Sequence, residues 1–359
     1  MKRATLAALL MTYSLLTNAG GLASVAPAAR HDGPTPQQPG GTAPAPPDPA
    51  PKAPAAPSTI KVEVDLVPVE VSVRDPHGKP LENLTRDDFR IFEDGVEQQI
   101  RYFSHAELPL ALALVLDSST SVAAALKELR EGAREALSLL KPDDQIALFS
   151  FADKPEKVES LSTDRSPIPE DIAAISPGGG TNITDALYEA ATYLGREAPN
   201  RRHVIVLVSD NEPSDKGAHD DPQVIRTALE TQTVIYSVKV GYFEHSKWYY
   251  LTHPESTFGS VDKVCRHTGG AVIDSRTAGS VTSALATVIA WLKQGYSLAY
   301  SSTNRRQDGT YRKIEVRLAP HSSKSANKYS VYARQGYYAP LAPAGSTDHR
   351  SQDFRLPIQ

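Results

Sequence analysis

The apolar positions of the central part of this chain predict buried strands and helices. Residues 110–121 read LALALVLDSSTS, an unbroken apolar run that ends in a carboxylate and hydroxyls. Such a run is typical of a strand buried on both faces of a parallel sheet. Residues 122–140 then carry apolar side chains three and four positions apart, which predicts a helix packed on that sheet.

The alternation of strand and helix continues to residue 294, which predicts a doubly wound, mostly parallel α/β sheet of Rossmann-like type. The first and fourth strands are expected to be neighbours at its centre. A short strand at 157–162 is expected at the edge of the sheet. The other predicted strands are 145–152, 204–210, 233–241 and 271–275.

The two flanks of this region alternate apolar and polar residues, which predicts antiparallel strands. Residues 60–104 change phase at Pro68, so this proline is expected at a bulge or an edge position. Strands are also predicted at 296–302, 311–318 and 329–336. Because the N-terminal strands alone are too few for a core, we expect both flanks to join into one antiparallel β-sandwich.

The beginning of the chain has the layout of a secretory signal. Lys2 and Arg3 precede an apolar stretch at 4–16, and small residues follow. A membrane anchor is the alternative, but the stretch is shorter than the ~20 residues that span a bilayer. The expected location is therefore secreted or periplasmic, with no transmembrane segment after signal removal.

The composition of the remaining segments predicts which parts of the chain are disordered. The Pro- and Ala-rich stretch after the signal and the polar C-terminus predict disorder. A net charge of -4 argues against nucleic acid as a partner. Cys265 is the only cysteine and is expected to be buried. The predicted regions are a signal peptide (1–29), a linker (30–59), the first part of the sandwich (60–105), the α/β domain (108–294), the second part of the sandwich (295–340) and a tail (341–359).

Three segments carry oxygen ligands toward one edge of the predicted sheet. Asp117, Ser119 and Ser121 alternate through the turn after the first strand, so that one carboxylate and two hydroxyls can converge. The loop GGGTNITD at 178–185 supplies Thr181 before a helix expected at 185–196, and the strand RRHVIVLVSD ends in Asp210. Carboxylate and hydroxyl oxygens are the hard ligands that Mg²⁺ prefers. Helix capping by these residues is the simpler alternative.

This order of D-x-S-x-S, a threonine after glycines and a strand ending in Asp resembles the metal-ion-dependent adhesion site (MIDAS) of von Willebrand factor A (VWFA) domains. The resemblance implies that Asp117, Ser119, Ser121, Thr181 and Asp210 coordinate Mg²⁺ or Mn²⁺. Such domains usually have glycine after the last aspartate; Asn211 stands there in this chain and tolerates the left-handed conformation. The flanks LTRDDFRIFEDGVEQQI and QGYYAP resemble a secreted VWFA-related group that is abundant in acidobacteria.

The resemblance implies a secreted adhesion or binding protein, not an enzyme, whose metal binds an Asp or Glu carboxylate of a partner protein. The alternative is a structural envelope or assembly component that docks without metal. A metal-dependent hydrolase is disfavoured, because Ser119 stands where a phosphatase of this type needs a second acid. Neither G-x-S-x-G nor H-E-x-x-H occurs in the chain.

Two loops near this edge are candidates for further sites. The loop GYFEHSKWYYL at 241–251 concentrates aromatic residues, which dominate protein interfaces. Trp248, Tyr249 and Tyr250 are therefore candidate partner-binding residues, with packing onto the sandwich or the local helix as the alternative. The acidic loop at 211–221 is expected to be solvated, and Asp185 is expected to cap a helix or pair locally.

Overall fold

The structure is a computed structural model that describes residues 66–105, 108–214, 217–241, 261–319 and 328–342. All of these lie in one unit of the chain, Val62–Gln359, and the other unit, Met1–Lys61, lies outside the described residues. The predicted signal peptide and linker, almost all of the tail, and the candidate interface residues Trp248, Tyr249 and Tyr250 also lie outside them.

The two flanks form antiparallel sheets that share one hydrophobic core. Their strands are β1 (Leu66–Arg74), β2 (Phe89–Glu93), β3 (Val96–Gln98), β4 (Ile100–His105), β11 (Tyr296–Ser301), β12 (Tyr311–Leu318), β13 (Ser330–Ala333) and β14 (Gly336–Tyr338). The sheet orders are β13-β1-β11-β4 and β14-β12-β2-β3. Each sheet combines strands from both flanks, which confirms the predicted sandwich.

Pro68 occupies an edge position within β1. It is opposite Ala299 of β11, whereas β13 pairs only with the part of β1 from Val71 to Arg74. The Pro68 carbonyl accepts a hydrogen bond from Arg334 on the side that β13 leaves open. Because the amide nitrogen and carbonyl of a strand residue point to the same side, the missing N–H of proline also faces that side.

The prediction of a single strand at 329–336 was wrong. The chain forms β13 in one sheet and β14 in the other, and it crosses between them at Arg334 and Gln335. At the start of β14, a Cβ on Gly336 would lie 2.3 Å from the Tyr311 ring and 2.5 Å from the Arg312 carbonyl oxygen. Close backbone approach therefore requires glycine at this crossing.

The α/β domain is built on a six-stranded sheet with the two central strands that the sequence predicts. Its strands are β5 (Leu110–Asp117), β6 (Gln145–Phe151), β7 (Pro155–Ser162), β8 (Arg202–Ser209), β9 (Thr233–Lys239) and β10 (Val272–Asp274). The order is β10-β9-β8-β5-β6-β7. All pairs are parallel except β6 with β7, so β7 is the predicted edge strand.

Helices cover both faces of this sheet, and β5 divides its side chains between them. Its leucines pack with α1, α2 and α7, and its alanines and Val115 pack with α3, α4 and α5. The helices are α1 (Ala123–Ser138), α2 (Ile168–Ala174), α3 (Ile183–Glu197), α4 (Asp221–Glu230), α5 (Val261–Thr268), α6 (Ser275–Ala278) and α7 (Val281–Lys293).

The helices bear on the predicted start of α3, the predicted burial of Cys265 and the predicted absence of a membrane span. Helix α3 begins at Ile183, earlier than predicted, because the Asn182 side chain caps it by accepting a bond from the amide of Asp185. Cys265 in α5 is fully buried, as predicted, and burial raises the pKa of its thiol. Within the described residues, no helix is both long and apolar enough to cross a membrane.

A buried polar network connects the two sheets of the sandwich. The Glu93 carboxylate, whose residue is 2% exposed, accepts hydrogen bonds from Tyr300 (2.7 Å), Ser302 (2.6 Å) and Tyr337 (3.0 Å). The Arg312 guanidinium lies 3.5 Å from the same carboxylate. Glu93 therefore provides the acceptor for several donors that are shielded from water.

Replacing Glu93 with alanine should lower the free energy of unfolding by about 3–5 kcal/mol, because it removes the nearer and buried one of the two acids that face the buried Arg312 cation; the other, Asp308, is 4.0 Å away. Urea denaturation measures the change. The matched control is Glu97→Ala, since Glu97 and Arg90 form a 3.4 Å ion pair at the surface. That control should cost less than about 1 kcal/mol. Equal losses from the two variants would contradict a stabilising role for the network.

Candidate metal centre

Asp117 is the last residue of β5, and its side chain is held rigidly below the surface. The residue is 0% exposed. Its Oδ1 accepts a hydrogen bond from the amide of Ser119 at 2.8 Å, and its Oδ2 accepts one from the hydroxyl of Ser209 at 2.6 Å. Both carboxylate oxygens are therefore oriented by their neighbours.

The environment of Asp117 also shifts the pKa of its side chain. Burial raises the pKa of its carboxyl, and the nearby Asp210 carboxylate adds to this effect. The hydrogen bonds from Ser209 and Ser119 act in the opposite direction. A positive charge beside Asp117 would stabilise the ionised form that burial disfavours.

Ser119, Ser121 and Asp210 extend this arrangement toward the surface. The hydroxyl oxygens of Ser119 and Ser121 are 3.0 Å apart, and the Ser121 hydroxyl donates to Asp210 Oδ2 at 2.6 Å. Ser121 is exposed and Asp210 is partly exposed, whereas Ser119 is buried. The cluster therefore runs from the buried Asp117 to a solvent-accessible oxygen.

The oxygen spacing suits a hard divalent cation. Adjacent ligands at about 2.1 Å from an octahedral Mg²⁺ lie about 3.0 Å from each other. The spacings of 3.0 Å and 2.6 Å between the cluster oxygens are close to that value. In the part of the chain that the structure describes, no group of three or more His, Cys, Asp or Glu side chains could hold a metal. The oxygens that lie together here include the hydroxyls of Ser119 and Ser121 beside the Asp210 carboxylate.

Thr181 is brought to the same edge of the sheet by backbone contacts. Its amide donates to the Ser214 hydroxyl at 2.7 Å, and Thr181 itself is buried. In the same loop, the Gly178 amide donates to the Ser118 carbonyl at 2.7 Å. Four of the five predicted ligands are thus linked through Asp117 and its neighbours, and the loop that carries Thr181 contacts the turn after β5 through Gly178 and Ser118.

The local contacts do not support the helix-capping alternative. Ser119 stands at the N-cap of the one-turn 3-10 helix Thr120–Val122, but its side chain makes no capping bond. The cap of α3 is Asn182, not Thr181. Capping therefore does not account for the side chains of Ser119 and Thr181.

The turn after β8 contains a residue in the left-handed conformation that glycine readily adopts. Asn211 has φ of 63°, which confirms the predicted left-handed conformation. Its amide donates to the Ser209 hydroxyl at 3.0 Å, and its side-chain oxygen accepts a bond from Ser237 at 2.9 Å. Ser209 and Ser237 were not among the predicted site residues; for Ser209, the available signal was its place directly before Asp210 at the end of an apolar strand.

Asp185 pairs locally, though not as a cap. It accepts bonds from the His219 amide (2.9 Å), the His219 Nδ1 (2.8 Å), the Ala218 amide (3.0 Å) and Asn182 (2.8 Å). Burial acts to raise the pKa of Asp185, but these bonds outweigh it and hold the pKa below its usual range. The His219 ring stacks on Tyr188 with centroids 3.6 Å apart. Asp185 therefore fixes the loop that follows β8 against α3.

Comparison with known proteins gives a family match over the region of this cluster. Residues 112–212 match the von Willebrand factor type A domain, and all five predicted ligands lie within them. Over 119 residues, 30% of this chain, the sequence is 31% identical to inter-alpha-trypsin inhibitor heavy chain H2 of Sus scrofa. The matched part is 13% of that relative.

Solved structures with a similar arrangement have low sequence identity. A von Willebrand factor type A protein from Catenulispora acidiphila is 9% identical, with 78% of this chain and 75% of that chain covered and a TM-score of 0.44. An aerotolerance-related membrane protein from Bacteroides fragilis is 14% identical, with 50% and 96% covered and a TM-score of 0.39.

Replacing Asn211 with alanine should lower the free energy of unfolding by about 1–2 kcal/mol more than replacing it with glycine. Both substitutions remove the bond to Ser237, but only glycine adopts the left-handed conformation without strain. Urea denaturation of the two variants measures the difference. Equal stability would contradict a required left-handed turn at this position.

Proposed function

Because the chain contains a von Willebrand factor type A domain, a kind of domain that commonly mediates protein–protein interaction, we propose that it is a metal-dependent binding module. The proposed ligands of the cation are Asp117, Ser119, Ser121, Thr181 and Asp210. The observation that carries the proposal is the series of short oxygen contacts from Ser119 through Ser121 to Asp210, beside a fully buried carboxylate.

The Asp117 carboxylate and the hydroxyl ligands have different roles at this site. Asp117 is held by Ser209 and by the amide of Ser119, so its carboxylate is oriented before a cation arrives. Burying a carboxylate without a compensating charge is costly, which favours a cation at this position. Hydroxyls make up three of the five proposed ligands, so they add no negative charge. Mg²⁺ or Mn²⁺, when bound, supplies a coordination position that a further carboxylate can fill.

The partner is proposed to be a protein that contributes an Asp or Glu side chain. The exposed hydroxyl of Ser121 and the partly exposed Asp210 mark the side from which such a carboxylate would approach. Binding is favoured over catalysis, because Ser119 stands where a phosphatase of this type needs a second acid. The signal-like pattern after Lys2 and Arg3 supports a place outside the cytoplasm.

Calorimetric titration of Mg²⁺ and Mn²⁺ tests the proposed site. The protein should bind one cation saturably, and Asp117→Ala should weaken binding by about tenfold or more. The matched control is Asp164→Ala, because Asp164 is an exposed aspartate whose carboxylate accepts hydrogen bonds from the amide and hydroxyl of Ser166. Unchanged affinity in Asp117→Ala, with the control behaving as the wild type, would contradict the proposed metal centre.

The dependence of partner binding on metal tests the second half of the proposal. A protein partner captured in Mg²⁺ should be released by chelator, and Asp210→Ala should fail to capture it. The expected reason is that the partner's carboxylate binds through the cation. Capture that persists in chelator would instead support docking through a face remote from the metal centre.

A further inference from the structure

A second candidate site lies between the α/β domain and the β-sandwich. It is a cleft of about 380 Å³, which is within the usual range for small-molecule sites. Glu70 of β1 and Arg334, between β13 and β14, line it from the sandwich, and Arg202 of β8 and Trp291 of α7 line it from the α/β domain. Arg202 is at the amino end of β8, so the cleft is at the opposite edge of the sheet from Asp117.

Shielded polar atoms without a hydrogen bond cluster beside this cleft. Six such side-chain atoms are found within the described residues, and three of them belong to residues that line the cleft: Arg202 Nε, Arg334 Nε and Glu70 Oε2. Arg202 Nε and Glu70 Oε2 form an ion pair at 2.8 Å, but they are not aligned for a hydrogen bond. The Arg202 side chain is only 9% exposed. Buried donors of this kind normally have acceptors.

Cations outnumber acids around the cleft. Arg74, 2% exposed, lies 3.4 Å from the Trp291 ring and 4.0 Å from the Tyr332 ring, both of which line the cleft. Arg74, Arg202 and Arg334 together are opposed by the carboxylate of Glu70. Their excess positive charge favours an anionic ligand.

The remaining charged groups at the cleft do not remove this excess. Glu230 lies at the rim, where it pairs with Arg226 at 3.5 Å and is about half exposed. Arg201 also lines the cleft, and it donates to the backbone carbonyls of Leu110 and Asp143. Burial lowers the pKa of Arg334 to about 10, as expected for a cation with too little anionic compensation.

We propose that this cleft binds a small organic carboxylate with an apolar body. The carboxylate accepts hydrogen bonds from the guanidinium groups of Arg334 and Arg202, because charge-assisted guanidinium–carboxylate bonds are strong. The apolar body packs against Trp291 and Tyr332. Desolvating a dianion such as phosphate in a shielded cleft costs more than desolvating a monoanion, which favours the carboxylate.

Calorimetry with benzoate as the probe tests the proposed ligand class. The full chain should bind benzoate at one saturable site, about tenfold more tightly than acetate, benzyl alcohol or phenyl phosphate. Acetate lacks the apolar body, benzyl alcohol lacks the charge, and phenyl phosphate carries the second negative charge. Absence of saturable benzoate binding, or equal affinity for acetate, would overturn the proposal.

Two substitutions with opposite expected effects separate binding from folding. Arg334→Gln should weaken benzoate binding by about tenfold, and Glu70→Gln should strengthen it because the repelling charge is removed. The control Arg317→Gln should change nothing, since Arg317 pairs with Glu315 at the surface at 2.6 Å. Unchanged affinity in Arg334→Gln, or weaker affinity in Glu70→Gln, would overturn the proposal.

The cleft and the metal centre can also be tested separately. Because they lie at opposite edges of the sheet, Asp117→Ala and chelator should leave benzoate affinity unchanged. Loss of benzoate binding under either condition would show that benzoate binds the metal centre, and it would overturn the proposed cleft site.

Discussion

The parallel pairing of β5 with β8 is the constraint on which the candidate metal centre depends. In this register Leu116 is opposite Val208, so the next residues, Asp117 and Ser209, end the two strands side by side. The 2.6 Å bond between their side chains follows from that position. A shift of one residue would turn Ser209 to the other face of the sheet and would also displace Asp210.

The side chains of β5 explain how the rest of the domain is placed around this pair. Leucines on one face fill the space beneath α1 and α7, while alanines on the other allow α3 to approach closely. The loop that carries Thr181 leads directly into α3. The packing of α3 on the small residues of β5 therefore brings Thr181 to the same edge as Asp117.

Much of this architecture could be predicted from local sequence patterns. Unbroken apolar runs identify the central strands, the change of phase identifies Pro68, and the known tolerance of asparagine for positive φ identifies the turn at Asn211. The role of Ser209 was not predicted: the expected pairing of the first and fourth strands puts it near Asp117, but the bond between the two side chains depends on the exact register of that pairing. The break between β13 and β14 was missed because alternation looks the same whether one sheet or two are involved. The cleft was not predicted either, because the ion pair of Glu70 with Arg202 beside it joins residues that only the tertiary fold brings together.

The central claim is that the oxygen cluster at the end of β5 and β8 holds a divalent cation. The most direct measurement is the anomalous scattering of Mn²⁺ in crystals grown with that ion. The account predicts one strong peak among the oxygens of Asp117, Ser119, Ser121, Thr181 and Asp210, with the direct bond between Ser121 and Asp210 rearranged around it. Crystals that show no peak there, with that bond intact, would contradict it.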